Sequence, residues 1–226
     1  MTIKEILVHV EPGAVAERRL RYALSMAKLS GAKVTGVSVM LSPTATAFAM
    51  MGDAQVYAAA MSASEESCAA ARKLFATVTA GGDVPTEWRE GNGIPLEVMA
   101  AETGRADIAI LGRDDRSDPD AAFYALPPAD IILACGRPVL VVPGEAPTDF
   151  SARRILVAWK STPQAARAAH DALPFLVQAD EVILAEIVGK QPAVRYAIAI
   201  ETMADHLRAH GVKVTVRKLA QAGDAG

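Results

Sequence analysis

The sequence has few cysteines and little aromatic content. Its two cysteines, Cys68 and Cys135, lie far apart, and aromatic residues make up 5% of the chain. No C-x-x-C pair or cysteine–histidine cluster is present, which disfavours a zinc site. The simplest interpretation is two buried, reduced cysteines in a cytoplasmic protein.

A basic surface and a long apolar run are also missing. The formal net charge is −3 and the isoelectric point is about 5.8, values that indicate neither a nucleic-acid surface nor a polybasic membrane anchor. The longest weakly polar stretch is interrupted by Pro43, Gly52 and Asp53. A membrane span needs about 20 consecutive apolar residues, so no membrane segment is predicted. The opening residues, MTIKEILVHVEPG, lack a signal-peptide pattern.

What the chain does contain is ample apolar material and an internal duplication. Hydrophobic residues make up 51% of its 226 positions. The segment EILVHVEPG at Glu5 is matched by RILVAWKST at Arg154, an offset of 149 residues, and both continue through a helical pattern into a second apolar strand. A repeat at this distance indicates duplicated domains. We predict a complete domain over 1–143, a linker over 144–152 and a truncated second copy over 153–226.

The first copy alternates apolar strands with amphipathic helices. Its strands are continuous apolar runs, as in parallel strands covered on both faces. An α/β fold with a five-stranded parallel sheet and helices on both faces is therefore predicted. The second copy carries a βαβαβ pattern that lacks two strands and two helices. Such a fragment exposes apolar sheet unless something covers it.

Several motifs, in this order and spacing, resemble the universal stress protein family. They are KEILVHVEPG and its repeat RRILVAWKST, then VTGVSV, ADIAILGR and GRPVLVVP. The resemblance implies an adenine-nucleotide-hydrolase-like fold, a role in stress responses and, in many members, ATP binding. It also implies pairing through the fifth strand, and we expect Val139–Val142 to form a homodimer in this way, because an exposed apolar edge strand promotes aggregation.

The loop after the fourth predicted strand departs from the family's phosphate motif, which is Gly-x-x-Gly, nine residues and then Gly-Ser or Gly-Thr. Gly112 matches the first glycine, but Asp115, Ala125 and Leu126 replace the other three positions. Phosphate needs close backbone approach and positive potential. Asp115 places a negative charge where phosphate would bind, and two like unit charges 4 Å apart repel by roughly 4 kcal/mol at an effective dielectric near 20. A repulsion of this size weakens phosphate binding by about a thousandfold. We expect no cofactor, although ATP is retained as an alternative.

The candidate nucleotide crevice consists of loop and strand-end residues: Glu11, Gly13, Val39, Met40, Gly112 and Arg113. We predict a noncatalytic regulatory or interaction protein with a degenerate ATP site and protein partners. The alternatives are an ATP-binding switch that uses other phosphate contacts and, less favoured, a nucleotide hydrolase. We predict no catalytic residues and no metal site. His206 and His210 stand four residues apart on a predicted helix, but HLRAH lacks the glutamate of the H-E-x-x-H motif.

Overall fold

The computed structural model describes residues 3–41, 54–113, 126–188 and 198–220. The chain divides into two compact units, Thr2–Phe150 and Ser151–Gly226. Within the described residues, no helix combines the length and the apolar character needed to cross a membrane.

The first unit is built on five parallel strands in the order β3-β2-β1-β4-β5. The strands are β1 (Glu5–His9), β2 (Lys33–Leu41), β3 (Thr86–Gly93), β4 (Ile108–Gly112) and β5 (Val139–Val142). The helices are α1 (Ala14–Ser30), α2 (Ala54–Thr79), α3 (Pro95–Thr103) and α4 (Pro128–Cys135). The predicted five-stranded α/β architecture is confirmed.

Helix α1 shows how the sequence produces these elements. Gly31 ends the helix in the left-handed conformation, with φ of 65°, and donates its N–H to the Ala27 carbonyl. Leu20, Ala23, Met26 and Ala27 are buried, whereas Leu24 is only half-buried.

The two cysteines differ in burial. Cys68 in α2 is buried, whereas Cys135 is only partly buried. The prediction of two buried cysteines is therefore wrong for Cys135, because it is the last residue of α4, where the helix ends at Gly136.

An ion network joins the amino ends of β1, β2 and β3. The Glu5 carboxylate accepts from Thr35 and lies 3.3 Å from both Lys33 and Arg89. Glu87 lies 2.7 Å from the same two cations. Hydrogen bonds from Arg89 and then Lys33 outweigh a small desolvation effect and lower the pKa of Glu87 to about 2.

Glu87→Gln is expected to reduce the acid sensitivity of the first unit. Because the folded-state pKa is depressed, the stabilisation is present above the ordinary pKa of 4.5 and is lost as pH falls toward about 2. Glu87 is 41% exposed, so solvent screening limits the effect to under about 1 kcal/mol. Urea unfolding across this pH range checks the prediction, with exposed Glu65→Gln in α2 as control. Equal pH profiles for wild type and Glu87→Gln would contradict it.

The second unit contains a three-stranded parallel sheet in the order β6-β7-β8. Its strands are β6 (Arg154–Trp159), β7 (Glu181–Val188) and β8 (Val214–Ala220), and its helices are α5 (Pro163–Asp171), α6 (Leu173–Leu176) and α7 (Ile200–Ala209). Thr162 caps α5 by accepting from the Ala165 N–H at 3.3 Å, with Pro163 in the first turn. In α7, Ile200, Met203, Ala204 and Leu207 are buried.

The two sheets differ in how their faces are covered. Leu7 in β1 belongs to a core cluster that includes Met99 of α3 and Ile131 of α4, and it is 0% exposed. Leu156, its counterpart 149 residues later, is 66% exposed. Ile187 and Leu219, paired across β7 and β8, are also exposed. In the described part of the chain this apolar sheet face is exposed, at the place where the first copy carries α3 and α4.

The segment after β5 packs on α1. Arg18 donates to the Gly144 carbonyl at 3.4 Å, and the Phe150 N–H donates to Ser25 Oγ at 3.1 Å. The Phe150 ring meets Tyr22 edge to face, with 5.5 Å between ring centroids. Residues 144–150, which fall within the predicted linker, are therefore held against the first unit, and the boundary between the units follows Phe150.

Candidate functional site

The order of the first sheet creates a switch point between β1 and β4. From β1 the chain builds outward to β2 and β3, and it then crosses back to β4 and β5. In open α/β sheets, ligands bind in the crevice beyond the carboxyl ends of the strands at such a point. The residues that follow β1 and the end of β4 therefore form the candidate site.

Arg19 of α1 lies buried beneath this crevice and is 1% exposed. Its Nε and Nη2 groups donate to the His9 carbonyl at 3.1 and 2.9 Å, and Nη2 also donates to Glu11 Oε1 at 3.0 Å. Nη1 is buried and has no hydrogen-bond partner within the described part of the chain. The guanidinium therefore fixes the carboxyl end of β1 while two of its five N–H donors stay unused.

The carboxylate of Glu11 is held from both sides. Oε1 accepts from Arg19, and Oε2 lies 3.0 Å from His9 Nδ1. Burial opposes ionisation, but the hydrogen bond and charge interaction with His9, together with those of Arg19, hold the pKa of Glu11 well below its usual range. The side chain is still 45% exposed. An ionised carboxylate therefore stands at the switch point.

Gly112 ends β4 directly against Arg19. A Cβ atom at this position would overlap Nη1 of the guanidinium. The absence of a side chain at Gly112 therefore has a structural cause within the chain itself: it makes room for the buried arginine. Gly112 is also the residue that matches the first glycine of the family's phosphate motif.

The other predicted crevice residues also lie at the carboxyl edge of the sheet. Gly13 has φ of 115° and precedes α1, with its carbonyl accepting from the Glu17 N–H. Arg113 follows Gly112 and is exposed. Val39 and Met40 are partly buried near the end of β2, the strand beside β1. The structure thus brings Glu11 and Gly112 together through Arg19 and places the other four around them.

The positions that depart from the phosphate motif are only partly described. Asp115, Ala125 and the acidic residues around Asp115 lie outside the described residues. Leu126, at the motif's last position, packs partly buried against the core cluster beneath α3 and α4. An apolar side chain in that core replaces the hydroxyl that the motif would supply.

The predicted histidine pair lies in the second unit. The rings of His206 and His210 meet edge to face with 4.8 Å between centroids. Among the residues that the structure describes, no three histidine, cysteine, aspartate or glutamate side chains are grouped to hold a metal ion.

This fold and its switch-point crevice agree with the family that the sequence motifs suggest. The Universal stress protein family matches residues 2–143, more than half of the chain. The chain belongs to the universal stress protein family. The match stops at the end of the first copy, and no curated protein matches the sequence.

Solved universal stress proteins resemble the chain at low sequence identity. One from Archaeoglobus fulgidus is 14% identical, covers 98% of this chain and 78% of its own, and superposes with a TM-score of 0.68. One from Lactobacillus plantarum is 15% identical, over 63% of this chain and 99% of its own, with a TM-score of 0.49. A family protein from Arabidopsis thaliana, solved with AMP bound, is 14% identical, over 62% of this chain and 91% of its own, with a TM-score of 0.43. At 14% identity, the likeness to the Archaeoglobus fulgidus protein shows the fold.

The strand-end pattern predicts Glu11 and Gly112 as crevice residues but does not point to Arg19, which contacts both. A signal was present, because position 19 falls on the buried stripe of α1 with Ala16, Leu20 and Ala23. A charged residue on a core-facing stripe is rarely buried without a specific partner. The second copy lacks the whole arrangement: Ala158, Lys160 and Ala168 stand at the positions of His9, Glu11 and Arg19.

Proposed function

We propose that this universal stress protein is a noncatalytic regulatory protein whose ATP site is degenerate. The observation that carries the proposal is the Glu11 carboxylate, paired with Arg19 and His9 at the switch point. A nucleotide phosphate that approaches this edge meets a carboxylate that stays ionised. Arg19 is already engaged with Glu11 and the β1 backbone, so its positive charge is largely compensated.

The noncatalytic part of the proposal is supported by the chemistry of Glu11. A general base works best when its pKa lies near the working pH. The pKa of Glu11 is instead lowered by His9 and Arg19 against the effect of burial, which makes this carboxylate a weak base. A carboxylate with such a low pKa is poorly suited to accept a proton during turnover.

An ATP-binding switch with other phosphate contacts is the second candidate. It is favoured by Arg113, which is exposed directly after β4 and brings a positive charge to the crevice. Glu11, Val39 and Met40 would then contact the nucleoside from the ends of β1 and β2.

Analysis of the purified protein distinguishes these functions. The protein is denatured, and released nucleotide is quantified by chromatography with absorbance detection. We expect less than about 0.05 nucleotide per chain, because the carboxylate weakens phosphate binding by orders of magnitude. A near-stoichiometric yield of ATP would establish the switch instead. Metal-dependent ATP turnover that Glu11→Gln abolishes would establish a hydrolase.

The proposed regulatory protein acts in the cytoplasm and pairs through β5. This strand bonds only to β4 among the described strands, so its other edge is free to pair. Helix α4, which contacts β5, exposes Ile132 and Leu133 beside it. An apolar edge strand with apolar neighbours suits a second copy of the same strand.

Val141→Lys is expected to convert the predicted homodimer into a monomer, because a charged side chain on an edge strand opposes pairing. Val141 is partly exposed in the single chain. Sedimentation velocity checks the mass, and Val177→Lys, an exposed apolar position in the second unit, is the matched control. A wild-type protein that sediments as a monomer at all concentrations would contradict the pairing.

A further inference from the structure

Arg19 carries an unused binding capacity at the switch point. Its Nη1 group is buried with no partner within the described residues, while Nη2 binds Glu11 through a single carboxylate oxygen. A guanidinium forms its strongest complexes when two of its N–H groups bind one oxyanion in parallel. Glu11 cannot satisfy both nitrogens, because its second oxygen is directed to His9.

The surroundings of Glu11 leave room for its carboxylate to rotate away from Arg19. Its side chain is 45% exposed, whereas the Arg19 guanidinium is almost fully enclosed. Arg19 would keep its two hydrogen bonds to the His9 carbonyl if Glu11 rotated toward solvent, since those bonds do not involve Glu11. These two hydrogen bonds of Arg19 therefore do not depend on the position of the Glu11 carboxylate.

We propose that one small oxyanion, a carboxylate or a phosphate, binds Arg19 in place of Glu11 and that Glu11 acts as an internal competitor. This inference rests on the proposed function in one respect: the crevice binds a single oxyanion at Arg19 and not a triphosphate along the loop after β4. The second copy has Ala168 and Lys160 at these positions and lacks such a site. When the oxyanion replaces Glu11 at Arg19, the hydrogen bonding at the carboxyl end of β1 changes with ligand binding.

The test adds inorganic phosphate or acetate to the full chain. Binding is measured by calorimetry and by the change in the ¹⁵N signal of the Arg19 Nε–H group. Glu11→Gln removes the competing charge and keeps the shape, so at least one probe is expected to bind about tenfold more tightly to it than to wild type. Arg19→Met is expected to abolish binding. Arg18→Met, one residue earlier on the exposed side of α1, is the matched control.

The measurements distinguish results that support the proposal from results that overturn it. Tighter binding in Glu11→Gln with a shift of the Arg19 signal supports the proposal, and the responding probe identifies the oxyanion as phosphate or carboxylate. If Arg19→Met does not fold, the comparison of Glu11→Gln with wild type and the Arg19 signal still test the proposal. No binding of either probe to Glu11→Gln at 20 mM, or equal binding in a folded Arg19→Met protein, overturns it. Those results leave the proposed function intact, which only tight ATP binding or turnover would contradict.

Discussion

Leu7→Ala is expected to lower the free energy of unfolding of the first unit by about 3 kcal/mol, whereas Leu156→Ala costs the second unit under about 0.5 kcal/mol. The two leucines hold equivalent positions in β1 and β6. Leu7 is enclosed beneath α3 and α4, and its truncation leaves a cavity. Leu156 is 66% exposed on a sheet face over which the described residues place no such helices, so its truncation removes little packing.

The two tryptophans allow each unit to be followed separately. Trp88 lies in β3 of the first unit and Trp159 in β6 of the second. With the other tryptophan replaced by phenylalanine, urea unfolding monitored by fluorescence reports one unit at a time. Comparable losses for Leu7→Ala and Leu156→Ala would contradict the account and would mean that the second sheet face is covered in solution.

Gly112→Ala is expected to destabilise the first unit by about 2 kcal/mol, because the added methyl group overlaps Nη1 of a buried arginine. In an Arg19→Ala background the same change should cost under about 0.5 kcal/mol, since the overlapping group is gone. The difference between the two backgrounds measures how much of the cost of Gly112→Ala comes from the contact with Arg19.

The measurement is the four-member cycle of urea midpoints, read from Trp88 fluorescence. Gly144→Ala is the matched control, because a Cβ there meets the Val15 methyl groups at 3.4 Å, an ordinary contact distance. An equal cost of Gly112→Ala in both backgrounds would show that Arg19 does not dictate this glycine.

Regular elements of the fold could be predicted because each is specified locally. Apolar runs and helical stripes, punctuated by Gly31 and the Thr162-Pro163 cap, are properties of short segments. Strand β3 continues to Gly93, because Glu90–Gly93 pair with Ser38–Leu41. Nothing in the polar sequence REGNG signals this pairing, which depends on the neighbouring strand.

The candidate site was harder to predict because it depends on contacts between elements. Glu11 and Gly112 were found from their strand-end positions, but they are about 100 residues apart and meet through Arg19. The packing of α1 against β1 and β4 determines that contact. The charge balance of the crevice, and hence its chemistry, follows from an arginine that the sequence pattern placed on an apolar stripe.

The measurement that tests the central claim most directly is a calorimetric titration of the purified protein with ATP, with and without Mg²⁺. The account predicts no binding at millimolar ATP, because Glu11 keeps an ionised carboxylate at the switch point and compensates the charge of Arg19. Binding with a micromolar Kd would contradict it and would make the crevice a nucleotide switch.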